Sequence, residues 1–280
     1  MTKLKLTPAL MAAGLLFFSL ASPAKAERVP LAAHRAIYEL ALDPTKNSTR
    51  VDTARGKIAF EITGNACEGY SVSLRQVTEL DTGEGKQTTS DLRSTTWEDG
   101  EAKLFRFKNQ NFVNRELRDD VDGTADKASD GGLSVKLAKP KTPPLRLGGP
   151  ILLPTEQLTK ILDTGQAGEH ILAAKVYDGS PDGKKVYETL SVIGGGITGH
   201  ASDLEEPVRA APLTTIKRYP VTVSYFEISD ESGERTPAYT LTFELYENGV
   251  SRALKLDYGN FALKGDLKSV EFLKTTPCKK

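Results

Sequence analysis

Apolar residues recur at every second position along most of the chain. Ala36, Tyr38 and Leu40 follow this spacing, and Ile58 and Phe60 repeat it. Alternation of this kind is typical of antiparallel strands that bury one face and leave the other in water. The pattern therefore predicts a mainly β protein.

The same spacing predicts further strands and two local features. A parity shift at Val77 predicts a β-bulge in the strand that begins near Tyr70. Near the C-terminus, Asn248-Gly249 predicts a hairpin with a type I′ turn, in which both central residues have positive φ. The other predicted strands span residues 86–97, 103–108, 112–117, 133–137, 169–177, 185–193, 216–228, 239–245 and 254–258.

One helix is predicted against this β background, at residues 155–164. Thr155 is a suitable N-cap, and Leu158, Ile161 and Leu162 form one apolar face before Gly165 ends the helix. The preceding segment, 139–154, contains five prolines and is predicted to be a connector. We expect the apolar face of the helix to pack on the concave side of the sheet, because it needs an apolar surface to cover.

The first 26 residues have the pattern of a secretory signal peptide. Lys3 and Lys5 precede an apolar stretch at 9–21, and the small-x-small site predicts cleavage between Ala26 and Glu27. The remaining residues, 27–280, are predicted to form a single exported domain. No later apolar run has the length of a membrane-spanning helix.

Charge excludes one class of partner. The whole chain has 37 basic and 37 acidic residues, and the leader holds three lysines and no acid, so the mature chain has a net charge of −3. A basic surface for nucleic acid is therefore not expected.

The mature chain has two cysteines, Cys67 and Cys278. An even number in an exported protein favours a disulfide. The large separation between them excludes the Cys-x-x-Cys spacing of redox enzymes and the paired spacing of zinc sites. A structural disulfide is therefore predicted, which would hold the C-terminus against a turn early in the mature chain.

Motifs that suggest catalysis or cofactor binding do not have the required context. Gly194, Gly196 and Gly199 match a dinucleotide fingerprint, but no helix is predicted after them and no βαβ pattern surrounds them. His34 and the other two histidines share no metal-ligand spacing, and the turn at 178–183 has a serine, Ser180, without the surroundings of a nucleophile. We predict no catalytic, cofactor-binding or metal-binding residues.

Several segments in order, rather than one motif, carry a resemblance to a known family. They are the stretch from Leu153-Pro154-Thr155-Glu156 through Val176-Tyr177-Asp178-Gly179, the segment from Tyr219-Pro220-Val221 to Ser224-Tyr225-Phe226, the run Tyr246-Glu247-Asn248-Gly249-Val250, Asp257-Tyr258-Gly259 with Phe261, and the terminal Cys278. Together they resemble the EipB cell-envelope integrity family of alphaproteobacterial periplasmic proteins. The resemblance covers residues from about Leu31 to Cys278, with one departure at Gln157, where the family pattern has a His.

This resemblance implies a long antiparallel sheet rolled into a β-spiral or open barrel, an intramolecular disulfide, and a periplasmic role in envelope integrity. It implies no enzymatic activity. Two non-enzymatic hypotheses follow: the curved sheet docks envelope proteins, or, alternatively, it carries a lipid or a lipoprotein acyl chain. An enzyme acting on an envelope polymer is a third hypothesis, and it would need a titratable cluster in a cleft.

Overall fold

The computed structural model describes residues 29–46, 48, 51–83, 86–199, 204–210, 212–228, 235–275 and 278. Within these residues, fifteen strands form one continuous sheet. The leader and its predicted cleavage site, Ala26 and Glu27, lie outside the described residues.

The first eight strands run from the N-terminus to the connector. They are β1 (His34–Leu42), β2 (Thr53–Asn65), β3 (Gly69–Asp81), β4 (Gln87–Glu98), β5 (Leu104–Val113), β6 (Glu116–Lys127), β7 (Leu133–Lys139) and β8 (Leu145–Leu147).

The remaining strands lie on either side of one α-helix. They are β9 (Ile151–Leu152), followed by the helix α1 (Pro154–Gln166), then β10 (Ile171–Val176), β11 (Tyr187–Ile193), β12 (Arg218–Glu227), β13 (Tyr239–Tyr246), β14 (Ser251–Asp257) and β15 (Ala262–Phe272).

The sheet is an antiparallel meander that begins in its own centre. The chain moves outward from β1 to the edge strand β8, continues at the opposite edge with β9, and returns inward to β15, which pairs with β1. All neighbouring strands are antiparallel except β9 and β10. Because β8 and β9 are consecutive, only residues 148–150 separate the two edges along the chain.

The sheet is curled, and its two ends meet through side chains. Phe105 and Phe107 of β5 share one buried cluster with Ile151 of β9 and Tyr177, which follows β10. The rings of Phe107 and Tyr177 meet edge to face at 5.6 Å. We call this contact the seam. At the seam Gly179 has a positive φ of 76°, and a Cβ there would lie within 2.4 Å of the Phe107 ring, so the turn requires glycine.

The helix packs inside the curl, as its apolar face predicted. Ile161 and Leu162 are buried in one cluster with Tyr219, Val221 and Phe243. Since these strand residues belong to β12 and β13, the helix lies on the concave face of the sheet.

The strand predictions hold for most segments, and three details are wrong: one strand, one bulge and one turn type. Residues 112–117 are not one strand, because β5 and β6 join there through Asn114 and Arg115, both at positive φ. The bulge at Val77 is absent, since β3 pairs without a register shift on both sides. The hairpin at Asn248-Gly249 is confirmed, but Gly249 alone has positive φ, so the turn is not type I′.

The helix and the connector differ in detail from their predictions. The helix starts at Pro154 rather than Thr155, and Gly165 lies inside its last turn. The proline-rich connector contributes the two short edge strands β8 and β9, the position in a sheet that proline tolerates.

Candidate functional site

A cavity of about 440 Å³ lies between α1 and the concave face of the sheet. Its strand residues recur at every second position, which is the side-chain period of the inward face. The apolar lining comes mainly from strands in the middle of the sheet, and includes Ile58, Phe60, Leu74, Leu241, Leu254 and Leu256. The space therefore has an apolar wall shared by strands far apart in sequence.

The helix closes one side of this cavity. Pro154, Thr155, Gln157, Leu158 and Ile161 all line it. The apolar positions that predict the helix thus divide their contacts, with Leu162 packed on the sheet and Leu158 facing the cavity.

A carboxylate from a distant strand holds the N-terminus of α1. Glu98 of β4 is buried and accepts hydrogen bonds from the backbone N–H groups of Thr155 and Glu156, both at 2.8 Å. Thr155, predicted as the N-cap, is instead capped itself, because its N–H donates to Glu98. Burial raises the pKa of Glu98 to about 7, against the opposing effect of the two backbone donors.

Polar groups gather where the cavity meets the seam. Asp178 and Ser180 line the cavity from the turn after β10, together with Asn109 of β5, Gln157 of α1 and Tyr225 of β12. The Ser180 hydroxyl and backbone N–H both donate to Oδ1 of Asp178, at 2.8 and 2.9 Å. We call these five residues the polar end of the cavity.

Asp178 has no cation beside it at the polar end. It lies deep in the protein with its surface toward the cavity, and desolvation raises the pKa of its carboxyl above the usual range. Among the described residues that line the cavity, none is Lys, Arg or His. The cavity therefore carries one acidic group in otherwise uncharged surroundings.

Aromatic residues support this end of the cavity. Tyr225 and Tyr239 stack with ring centroids 4.3 Å apart, and Tyr187 meets both edge to face at 6.0 Å. Burial, together with the nearby charge of Asp178, raises the pKa values of Tyr225 and Tyr239, so both remain neutral hydroxyl groups. The helix residue Gln157 is buried and donates to Thr189 at 3.3 Å.

A second buried polar region lies on the outer face of the sheet. Glu244 accepts hydrogen bonds from Arg218 and Arg252, and Arg252 also pairs with Glu205. The two arginine side chains are only 3% and 5% exposed, and both contact the segment before β12, where Arg252 pairs with Glu205 and Arg218 donates to the Gly199 carbonyl. We call these four charged residues the outer network.

The predicted disulfide is present between Cys67 and Cys278, with Cα atoms 5.7 Å apart. It fixes the C-terminus to the β2–β3 turn, where the Asn65 side chain accepts from the Cys67 backbone. The predicted bond between the two cysteines is thus confirmed.

The other sequence candidates remain separate. His34 is buried with its Nδ1 bonded to the backbone of Ala32, and desolvation lowers its pKa, whereas His170 bonds to the Ile193 carbonyl. The third histidine, His200, lies outside the described residues. The described residues contain no group of three or more His, Cys, Asp or Glu side chains arranged for a metal, and no helix with the length and apolar character to span a membrane.

The polar end is not predictable from the local sequence. The segment 178–183 has the Gly, Ser and Pro content of an ordinary turn, and nothing local shows that it faces a cavity. The signal that could have found it is the pairing of an acid with buried tyrosines at inward positions of neighbouring strands.

A family model described as EipB-like matches residues 25–274. The chain belongs to the EipB-like family. A member from Brucella abortus strain 2308, the cell envelope integrity protein EipB, is 36% identical over 259 residues, which cover 92% of this chain and 90% of the relative. A crystal structure of a β-barrel-like protein of a domain of unknown function, also from Brucella abortus, matches with a TM-score of 0.79 at 33% identity, covering 88% of this chain and all of that one. The resemblance found in the sequence, and the rolled β fold it implies, are thus confirmed.

Proposed function

We propose that this protein is exported to the periplasm, with cleavage after Ala26, and supports cell envelope integrity there by holding the apolar chain of a lipid or lipoprotein. The name of the 36% identical relative supports the envelope role. The cavity between α1 and the sheet is the observation that carries the binding role. The proposed activity is binding without catalysis.

The dimensions and lining of the cavity suit this ligand. Small-molecule sites commonly have volumes of about 300–1,000 Å³ and mostly apolar walls, and the space here falls within that range at about 440 Å³. Each CH₂ group moved from water into such a wall contributes about 0.8 kcal/mol. A single alkyl chain, or part of a longer one, gains enough by entering to bind without any specific polar contact.

Binding of an uncharged fluorescent probe, N-phenylnaphthylamine, tests the proposal. We expect saturable binding at one site per chain, and much weaker binding in Leu241→Trp, whose indole ring occupies part of the cavity. Leu241 faces inward on β13, whereas its neighbour Thr242 faces outward beside Thr222. Thr242→Trp is therefore the matched control and should bind the probe as the wild type does.

Native mass spectrometry of the protein purified from its own cells tests the same proposal with natural ligands. A co-purifying lipid, depleted in Leu241→Trp, is the expected result. If folded wild-type protein binds no probe and carries no lipid, or if both tryptophan variants bind equally, the carrier proposal is wrong.

A second candidate function is docking of an envelope protein on the convex face. Ile171 of β10 and Val192 of β11 are direct cross-strand partners and are 58% and 46% exposed. Leu190 extends the same apolar surface. Exposed aliphatic pairs of this kind favour a protein contact.

Site-specific photo-crosslinking in cells tests the docking candidate. A crosslinker at Val192 should give a discrete adduct, and one at Thr222, its neighbour on β12, should give a weaker yield of the same adduct. Absence of any adduct at Val192 would oppose docking through this surface.

A further inference from the structure

We propose that the cavity selects single-chain amphiphiles with a positively charged amine head and rejects those with an anionic head, and that Asp178 makes this selection. This inference rests on the proposed binding function and names its ligand class. The ligand chain would lie along the apolar middle of the sheet with its head at the polar end.

The distribution of lining residues gives the ligand its orientation. The apolar lining comes mostly from β2, β3, β13 and β14, which are central strands, whereas Asn109, Tyr225 and Asp178 come from strands or turns near the two ends of the sheet. The ends of the sheet meet at the seam. An amphiphile therefore finds carboxyl and amide groups on one side of the cavity and mostly hydrocarbon on the other, where the hydroxyl groups of Tyr38 and Ser251 bond to each other.

The charge balance of the polar end determines the head. Asp178 is the one ionisable carboxyl among the described lining residues, and no basic side chain accompanies it. Its Oδ1 accepts both Ser180 donors, while its Oδ2 accepts no side-chain hydrogen bond from another described residue. A carboxyl buried in this way is stabilised in its charged form by a cation at close range.

An anionic head meets the opposite conditions. A carboxylate or phosphate brought to this end would lie beside Asp178 in a site of low dielectric constant, where like charges repel strongly. The neutral donors at this end are already engaged, since the Gln157 amide donates to Thr189, the Asn109 amide donates to the Asp178 backbone carbonyl, and both Ser180 groups donate to the Asp178 side chain. Fatty acids should therefore be poor ligands although the wall is apolar.

Three amphiphiles with one chain and different heads test the selection. Decylamine, decanol and decanoate are titrated calorimetrically, below their micelle concentrations, into wild-type protein. We expect decylamine to bind at least about tenfold more tightly than decanoate, a difference of about 1.4 kcal/mol, with decanol between them. Equal or tighter binding of decanoate overturns the inference without the use of any variant.

Two variants of the same turn assign the selection to Asp178. Asp178→Asn should remove the preference for the amine and leave decanol binding unchanged, which also shows that the cavity is intact. Asp182 lies four residues away on the exposed side of the turn, so Asp182→Asn should behave as the wild type. An amine preference that persists in Asp178→Asn assigns it elsewhere and contradicts the proposal.

The outcomes separate this inference from the proposed function. If no decyl compound binds, the binding function itself fails. If decanol binds and the head makes no difference, the cavity carries apolar chains and only the head selection is wrong.

Discussion

Two buried polar regions of this protein differ in how their charges are compensated. In the outer network each arginine has a carboxylate partner, with Nη1 of Arg252 2.6 Å from Oε2 of Glu244. At the polar end of the cavity, Asp178 has hydroxyl and backbone partners and no cation among the described lining residues. Of the two, the polar end lines the cavity between α1 and the sheet.

The contrast separates structural charge from charge that serves a ligand. Buried ions need compensation, and a protein that compensates them internally leaves nothing for a ligand to add. The outer network holds the segment around Leu204 on the sheet and is complete without a partner. The charge of Asp178 is only partly compensated by its protein partners, and the group lies at a cavity wall. This is the condition expected of a binding group.

Replacing the buried acids Glu244 and Asp178 by their amides gives the strongest test of this contrast. Glu244→Gln removes a carboxylate that two buried guanidinium groups share, and should lower the free energy of unfolding by about 3–5 kcal/mol. Urea unfolding midpoints measure the loss.

Glu61→Gln is the control for that variant. Glu61 pairs with the half-exposed Arg35 on the surface, and such pairs contribute about 0–1 kcal/mol. If Glu244→Gln and Glu61→Gln lose the same stability, the outer network has no special structural role.

The pH dependence of stability sharpens the comparison at a third buried carboxyl, Glu98. Its folded pKa of about 7 lies above the ordinary value of 4.5, so the folded state binds the proton more tightly than the unfolded state. The contribution of Glu98 is therefore fully present below pH 4.5 and is lost as pH rises toward 7, by roughly 3 kcal/mol in total.

Unfolding free energies of wild type and Glu98→Gln, measured from acid to neutral pH, test this. The wild type should lose unfolding free energy relative to Glu98→Gln as the pH rises. The lowered pKa of His34 makes stability rise with pH, the reverse of the Glu98 effect. Because His34 is present in both proteins, its effect cancels in the difference and the comparison isolates Glu98. A difference that stays constant with pH would show that Glu98 is ionised throughout.

The sequence predicts the strands and the helix far better than it predicts these polar regions. Alternation locates most strands because most inward residues are apolar, and the helix 155–164 follows from its own spacing. The cap of that helix comes from Glu98, which is 57 residues from Thr155 in the chain. No local pattern can show such a contact.

The predictions of turns were incomplete for a related reason. At Asn114 and Arg115 the chain reverses without glycine, so composition gives no sign of the reversal. Around Asp178 the composition does predict a turn, but the importance of that turn depends on the seam, which forms only when the ends of the sheet meet. Long-range closure, rather than local preference, determines the candidate site.

The smallest expected change in stability, and the one that completes the comparison, is that of Asp178→Asn. The raised pKa means that ionising this carboxyl costs the folded state free energy, so its contribution is greatest at low pH and declines as pH rises through the folded value. The amide removes this cost and keeps an oxygen that can accept from Ser180. At neutral pH, Asp178→Asn should therefore be neutral or stabilising, with no loss greater than about 1 kcal/mol, whereas Glu244→Gln is strongly destabilising.

Thermal and urea unfolding of the two amide variants, side by side at neutral and acidic pH, decide the matter. The gain from Asp178→Asn should shrink as the pH falls, because the wild-type carboxyl is then neutral as well. A large loss of stability in Asp178→Asn would mean that this carboxylate is a structural group like Glu244, and the distinction between the two regions would not hold. Stability retained together with altered head-group selection would identify Asp178 as a residue kept for its ligand.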